Sequence, residues 1–473
     1  MSDDELRFDL LVLGGGMSYV GAIRAAQLGM SVGLVERDRL GGTCLNRGCI
    51  PSKAMLETAD FLHRVTAQGA EFGLTGSEGI GLDYPALARR RDAVVEKHVK
   101  GVEFLMKKNK ITVLHGQGTL TGPTSVRVSG GESGQAEATA TDLILATGSA
   151  PRGLPGLEID GELIITSDEA LKRKTVPARV AIVGAGAIGV EWASLYRDLG
   201  AQVHLVEFMD RIVPLEDADV SKELARVFKK SGMILYPSST IVPESVERSK
   251  GGVHFAIASN DGGTRIETET DLIMVAIGRR PLTDGIGLEE IRGVELDRGY
   301  VKVDEFMRTG VPHLYAIGDI VPGYALAHVA AHETVVAVET IAGRDPAPVR
   351  MELMPRVTFC RPQIASVGLS EEEAVAAGRT VKVGSFPFRA LGKATIVGEI
   401  DGFAKLVADA ETGVLLGAHI IGAAAGDLLP EPTLALLVEG TAAEIAMSVH
   451  AHPTLTEVLG EAAMAVDGAA IHV

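Results

Sequence analysis

Twice along the chain an apolar stretch runs into a cluster of glycines and then into residues whose apolar positions recur at helical spacing. The cleaner copy starts at Arg179-Val180-Ala181-Ile182-Val183, which has the continuous apolar character of a strand covered on both faces. It enters Gly184-Ala185-Gly186-Ala187-Ile188-Gly189, a complete G-x-G-x-x-G, and the pattern predicts a helix to about Leu199 with Gly200 as its C-terminal cap. Val203-His204-Leu205-Val206 reads as the next strand, ending at Glu207. The other copy is Phe8-Asp9-Leu10-Leu11-Val12-Leu13, then Gly14-Gly15-Gly16-Met17-Ser18-Tyr19, a helix to Leu28-Gly29, and a strand Val32-Gly33-Leu34-Val35 ending at Glu36. Only two of its three glycines are in register, because Tyr19 stands in the third place. Between the copies, residues 84–110 carry Leu87, Val94, Val95, Val102 and Leu105 at helical spacing, and short strand signals follow to Ala146. Leu154-Pro155-Gly156 marks the exit into the second copy's domain, which is expected to end near Ala276-Ile277-Gly278. Beyond Gly343-Arg344-Asp345-Pro346 the pattern changes to strands and helices without a glycine motif, with strands expected at Arg356-Val357-Thr358-Phe359 and Gly417-Ala418-His419-Ile420.

A glycine-rich turn between strand and helix lets the backbone approach a pyrophosphate, and the helix N-terminus favours its negative charge. An acid about twenty residues further on is placed for ribose hydroxyls. Glu207 fills that place in the second copy and would repel a 2′-phosphate, so NAD(H) is expected over NADP(H). Glu36 fills it in the first. A structural βα turn is the alternative for either loop taken alone.

Size and composition narrow the class. A chain of 473 residues exceeds one core, so three or four domains are expected. Hydrophobic residues make up 46%, yet no run is long enough to span a bilayer, and no membrane association is expected. Met1-Ser2-Asp3-Asp4-Glu5 is acidic and lacks the features of a signal peptide, which points to the cytoplasm. There, lasting disulfides are rare and catalytic ones are the exception. A net charge of −17 with interspersed signs argues against nucleic-acid binding.

Of three cysteines, Cys44 and Cys49 lie five positions apart, between Gly41-Gly42 and Pro51. The spacing lets their sulfurs meet across a tight turn. A loop so short gains little chain-entropy stabilisation from closure, which favours a bond that opens and closes during chemistry. Half of a metal site is the alternative, but only Cys360 remains and no Cys/His cluster stands near, so no metal is expected. Cys360 reads as a plain buried residue.

The residues from Gly41-Gly42-Thr43-Cys44 through Cys49-Ile50-Pro51-Ser52-Lys53 carry a wider pattern. With them stand Ala146-Thr147-Gly148-Ser149, the second glycine motif with Glu207-Phe208-Met209-Asp210-Arg211-Ile212, and Ala276-Ile277-Gly278-Arg279-Arg280-Pro281. Tyr315-Ala316-Ile317-Gly318-Asp319 and His450-Ala451-His452-Pro453-Thr454-Leu455-Thr456-Glu457 complete it. On these motifs, nearly the whole chain resembles the pyridine nucleotide–disulfide oxidoreductases, and most of all their dihydrolipoyl dehydrogenase branch. It departs from them at residues 16–19, where it is one residue short before the tyrosine that opens the helix.

The resemblance implies an α/β protein with two Rossmann-like dinucleotide-binding domains, for FAD and NAD, plus an α+β C-terminal dimerisation domain. It divides the chain into an FAD domain in two segments (1–149 and 276–345), an inserted NAD domain (150–275) and an interface domain (346–473). It implies FAD contacts at Gly14, Gly16, Glu36, Thr43 and Lys53, and again at Gly118, Thr147, Asp319 and Ala327, with Asp319 facing the ribityl chain. NAD contacts are implied at Gly184, Gly186, Gly189, Glu207 and Gly278. Cys44 would be the interchange thiol and Cys49 the thiolate beside the flavin, with Lys53 near the flavin and paired with Glu191.

A dithiol substrate needs a base, since a free thiol with pKa near 8.5 is roughly 3% thiolate at neutral pH. Of 12 histidines, His452 is singled out: it precedes Pro453, and Glu457 lies five residues on, across an expected helix start. That carboxylate is placed to orient the ring and stabilise its cation. His450 is the competitor; in the family the histidine just before proline has the role. The implied assembly is a homodimer with shared active sites, serving the lipoyl domain and acyltransferase core of 2-oxo-acid dehydrogenase complexes by oxidising dihydrolipoamide with NAD+.

Other readings stay open on the sequence. A different NAD(P)H disulfide or metal-ion reductase of the family is one. Glutathione reductase-like enzymes would carry basic residues near Glu207; mercuric reductases add a C-terminal cysteine pair, where this chain reads Ala470-Ile471-His472-Val473; soluble transhydrogenases lack the first cysteine. A docking subunit valued only for interaction leaves the Cys/His/Glu set unexplained, and a disulfide redox sensor leaves two dinucleotide motifs unexplained.

Overall fold

The computed structural model of the protein describes residues 6–131 and 134–472, so the acidic Met1–Glu5 and the terminal Val473 lie outside it. The chain forms two compact units. The first takes the chain up to Ala54, then Ala88–Arg152 and Arg279–Met351; the second takes Met55–Leu87, Gly153–Gly278 and Glu352 onward.

At the centre of the first unit stands β1 (Leu6–Leu13). It pairs in parallel with β2 (Val32–Glu36) on one side, in the register Leu10 to Val32, and with Gln135–Leu145 on the other. Thr112–His115 extends the sheet beyond β2, and Leu314–Ala316 joins the far end of Gln135–Leu145, both in parallel. An antiparallel ribbon, Gln117–Gly122 with Ser125–Ser129, completes it. Leu10, Val12, Leu34 and Ile144 are fully buried, as the continuous apolar runs of a sheet covered on both faces require. Between β1 and β2 runs α1 (Tyr19–Gln27), whose buried face is Gly21, Ala22 and Ala25.

The second unit contains a parallel sheet with β3 (Arg179–Val183) in the middle. The helix α4 (Ala187–Asp198) connects it to β4 (Gln202–Val206), in the register Val203 to Val180. The strand of residues 203–206 expected from the sequence begins one residue earlier, and the helix ends one residue short of Leu199. A three-stranded antiparallel sheet spans residues 239–270. The C-terminal part builds a five-stranded antiparallel sheet in which Gln363–Gly368, Leu415–Gly422 and Phe403–Asp409 lie side by side. Within this unit Lys405, 3% exposed, ties that sheet to the segment after β4: its ammonium meets Asp217 at 3.0 Å, Asp219 at 2.7 Å and Glu371 at 2.7 Å. Burial works against the Lys405 charge, but the three carboxylates outweigh it and raise its pKa. Among the described residues no helix is long and apolar enough to cross a membrane.

Candidate active site

Cys44 sits within α2 (Gly42–Arg47), and Cys49 opens α3 (Cys49–Gln68). The expected single tight turn is therefore a junction of two helices. In one continuous helix, residues five apart point about 140° away from each other, so their sulfurs would not meet. Gly48 breaks the helix and passes close over Cys44: a Cβ there would lie 3.0 Å from the Thr43 carbonyl oxygen and 3.3 Å from the Cys44 Cα. The backbone behind the break is fastened by Ser52, whose N–H and hydroxyl both donate to the Gly48 carbonyl, at 3.1 and 2.7 Å.

Both cysteines are thiols in this structure, and their side chains are hydrogen-bonded to each other. That bond, with burial second, pushes the Cys44 thiol far above its ordinary range, against the opposing pull of the Lys53 ammonium. Lys53 follows Cys49 by four residues on α3 and so shares its face. Glu191 lies on α4 of the second unit, where its carboxylate accepts the Phe359 N–H at 2.9 Å. Asn46 also serves the site, although the sequence reading passed over it: its Nδ2 donates to the carbonyls of Leu40 at 3.0 Å and Gly42 at 2.9 Å, pinning the turn that enters α2. The available signal was an Asn inside a short helix, where the amide commonly bonds nearby backbone.

The two glycine loops are built alike. Gly14 and Gly184 both have positive φ (+112° and +97°), and a Cβ on either would collide with a carbonyl oxygen of a neighbouring segment, Ala146 or Ala276. In the first unit Glu36 accepts the N–H groups of Gly15 and Asp38, both at 2.8 Å. In the second, Glu207 accepts those of Ala185 at 2.6 Å and Met209 at 2.8 Å. Each carboxylate is thus fixed beside its loop, nearly buried, by the residue after the first glycine and the residue two past the acid. Gly186 precedes the first residue of α4, and Gly189 lies where a Cβ would strike the Gly184 carbonyl oxygen. In the first loop Tyr19 opens α1, and the buried Ser18 hydroxyl donates to the Gly14 carbonyl. Open backbone N–H groups at a helix start, beside an anchored carboxylate, are the donors and acceptor that a dinucleotide's diphosphate and ribose need, so both loops fit their cofactors.

The remaining residues named for FAD all lie in the first unit. Thr43 is the residue before Cys44 in α2, and the Thr147 hydroxyl donates to the Leu282 carbonyl at 2.7 Å. Gly118, on Gln117–Gly122, has no room for a Cβ because Leu13 and Val35 press on it. Asp319 accepts a hydrogen bond from the Ser149 hydroxyl and faces the Arg279 guanidinium at 3.8 Å. Ala327 opens α5 (Ala327–Ile341). The same helix carries Glu333, which the sequence reading also missed: buried, it accepts the Gly318 N–H at 2.6 Å, and burial followed by the nearby Asp319 pushes its carboxyl up to about 7. Gly278, named for NAD and part of the second unit, has φ +114° with open space around it.

His452 and Glu457 belong to the second unit. Glu457 is the first residue of α6 (Glu457–Ala465), where the helix start favours a carboxylate. Its Oε1 meets His452 Nδ1 at 2.9 Å and its Oε2 accepts the Thr454 N–H at 2.9 Å. These two bonds, His452 first, hold the Glu457 carboxyl below the ordinary carboxylate range. The His452 side chain is 77% exposed within the chain. His450, the competitor, is 10% exposed, bonds Glu431 at 3.1 Å and lies against Gly460, as a packed structural histidine does.

Comparison with known proteins agrees with this architecture. The family described as pyridine nucleotide-disulphide oxidoreductase matches residues 8–334, and the dimerisation domain of that family matches residues 354–463. A dihydrolipoyl dehydrogenase of Bacillus subtilis is 43% identical over 475 residues, 98% of this chain and 99% of that protein. One of Zymomonas mobilis is 44% identical over 468 residues, with 98% and 99% covered. The crystal structure of LpdA from Mycobacterium tuberculosis is similar with a TM-score of 0.88 and 27% identity, covering 97% of this chain and 99% of that one. The family matches run from the first strand into the last helix, and the chain belongs to the pyridine nucleotide-disulphide oxidoreductases.

Proposed function

We propose that the chain oxidises protein-bound dihydrolipoamide to lipoamide with NAD+, as the shared oxidoreductase of 2-oxo-acid dehydrogenase complexes in the cytoplasm. Relatives carrying the name dihydrolipoyl dehydrogenase over almost their full length support the substrate. The observation that carries the chemistry is the pair of Cys44 and Cys49 brought side by side where α2 meets α3. When bound, FAD would supply the redox chemistry that links this dithiol to NAD.

The residues of the chain account for the sulfur steps. With Cys44 and Cys49 oxidised, a substrate thiolate attacks the Cys44 sulfur; a new S–S bond forms, the Cys44–Cys49 bond breaks, and the electron pair leaves on Cys49 as thiolate. The second substrate thiolate then attacks the first substrate sulfur, closing the substrate disulfide and displacing Cys44. Two electrons have moved from substrate to the cysteine pair. His452 takes the substrate protons and returns one to the departing Cys44, and Glu457 holds the imidazole by Nδ1. Lys53, four residues past Cys49, favours the remaining negative charge. Gly14, Gly16, Glu36, Thr43, Lys53, Gly118, Thr147, Asp319 and Ala327 would hold FAD. Gly184, Gly186, Gly189, Glu207 and Gly278 would hold NAD. The cysteines and His452 stand some 400 residues apart in sequence, and the chain carries the family's dimerisation domain, which supports a homodimer with active sites completed between subunits.

Initial rates with dihydrolipoamide, reduced glutathione and mercuric ion, each with NAD(H) and NADP(H), test this reading. Turnover confined to dihydrolipoamide and NAD is the expected result. A higher rate with glutathione or mercuric ion, or equal use of both nicotinamides, refutes it.

A further inference from the structure

The two glycine loops differ by one residue, and the difference falls on the groups that face a diphosphate. In the second loop the N–H groups of Gly184 and Ala185 are used, by Val206 at 2.8 Å and Glu207 at 2.6 Å. The Gly186 carbonyl then accepts the Val190 N–H at 3.0 Å, four residues on. The N–H groups of Gly186, Ala187, Ile188 and Gly189 are left open at the mouth of α4. In the first loop Gly14 and Gly15 are used in the same way, by Val35 at 2.9 Å and Glu36 at 2.8 Å. Here the Gly16 carbonyl accepts the Tyr19 N–H at 3.3 Å, only three residues on, and Met17 accepts Val20 in the same fashion at 3.1 Å. The missing residue is absorbed by winding the first turn as a 3₁₀ helix. Only Gly16, Met17 and Ser18 keep open N–H groups there.

The closure differs too. At Gly189 the Gly184 carbonyl forbids a side chain. Ser18 occupies the corresponding place, 1% exposed, and turns the equivalent carbonyl, that of Gly14, into the acceptor of its hydroxyl. A contact that demands glycine in one loop is a hydrogen bond in the other.

We propose that Ser18 is the positioning residue that closes the shortened loop, and that this loop offers the FAD diphosphate one backbone N–H fewer than a full-length loop would. The inference rests on the reading of the first unit as a flavin site. It follows that FAD is held more loosely than the fold permits, and that restoring the missing residue tightens it.

The test uses full-length protein stripped of flavin, titrated with FAD and followed by quenching of flavin fluorescence, with the thermal midpoint of the flavin-free protein measured in parallel. One variant inserts a glycine between Met17 and Ser18 together with Ser18→Gly, recreating the complete motif; its FAD Kd is expected to fall about tenfold, as one added hydrogen bond to a charged group would give. Ser18→Ala is expected to raise the Kd several-fold, and Ser18→Thr to restore most of it. A purely structural Ser18 would lower the thermal midpoint of Ser18→Ala and leave its Kd unchanged, which overturns the proposal, as does an insertion variant that binds FAD no tighter. Should the insertion variant not fold, the Kd of Ser18→Ala decides alone. A wild-type protein that binds no FAD at all refutes the flavin reading itself and the inference with it.

Discussion

Glu457 grips His452 by Nδ1 at 2.9 Å while its other oxygen takes the Thr454 N–H, so the imidazole is oriented by a carboxylate that is itself anchored to the backbone at a helix start. With His452 as the base proposed above, His452→Gln should slow reduction of the enzyme by dihydrolipoamide by about 10²–10⁴-fold and barely alter NADH oxidation by an artificial acceptor. Equal losses in both assays would count against the role. The Glu457 carboxyl lies below the ordinary range, so its contribution is present above that range and is lost only as pH falls through the lowered value. Glu457→Gln should slow the same dihydrolipoamide half-reaction at neutral pH and leave NADH oxidation by the artificial acceptor unchanged; equal losses in both would count against an orienting role.

In the proposed reaction Cys44 is the sulfur that the substrate attacks, and serine in its place cannot form or be displaced from a disulfide. Cys44→Ser should lower dihydrolipoamide turnover to background, a loss of roughly a thousandfold or more, with the flavin absorption of the purified protein retained. Undiminished turnover would refute the assignment.

In the first unit, Gly21 on α1 has no room for a side chain because Thr334 of α5 fills the space where its Cβ would stand. Gly21→Ala should destabilise the protein by about 1–3 kcal/mol through overpacking. Adding Thr334→Ala should recover part of that loss, and thermal unfolding of the four members of this cycle measures the coupling. Additive losses would show that the helices meet elsewhere.

Burial, with Glu399 next, pushes the Asp60 carboxyl up to about 6, against the pull of Arg361. The folded protein thus binds this proton more tightly than the unfolded chain does. The stability is fully present below the unfolded pKa of about 3.9 and is lost as pH rises through about 6. Asp60→Asn should raise the Tm by about two degrees at pH 8, with the gain vanishing toward pH 4. Asp60 is partly exposed, which keeps the effect small. A gain of the same size at both pH values would mean that its charge plays no part.

Both strand–glycine–helix–strand units were legible because parallel strands covered on both faces leave continuous apolar runs, and the acids at Glu36 and Glu207 stand at their ends. The sulfur pair was legible as a pair and not as a geometry: a five-residue spacing does not show that Gly48 splits one helix into two. The departure at residues 16–19 was legible, but the bonds made by Ser18 and Asn46 were not, because a serine bonded to a carbonyl four residues back and an amide bridging two carbonyls look, in a sequence, like ordinary polar residues. Glu333 was invisible for a similar reason. Its neighbours in space, Gly318 and Asp319, are distant enough in sequence that no helical periodicity connects them.

Just before α2, the Gly41 N–H donates to the Gly15 carbonyl at 2.7 Å, and Gly42, lacking a side chain, rests so close to Gly16 that a Cβ would come within 2.8 Å of its Cα. The first glycine loop and the turn that launches Cys44 are thereby one mechanical piece. Neither can be displaced alone: in the proposed reading, whatever seats the dinucleotide on the loop would also set the aim of the sulfur.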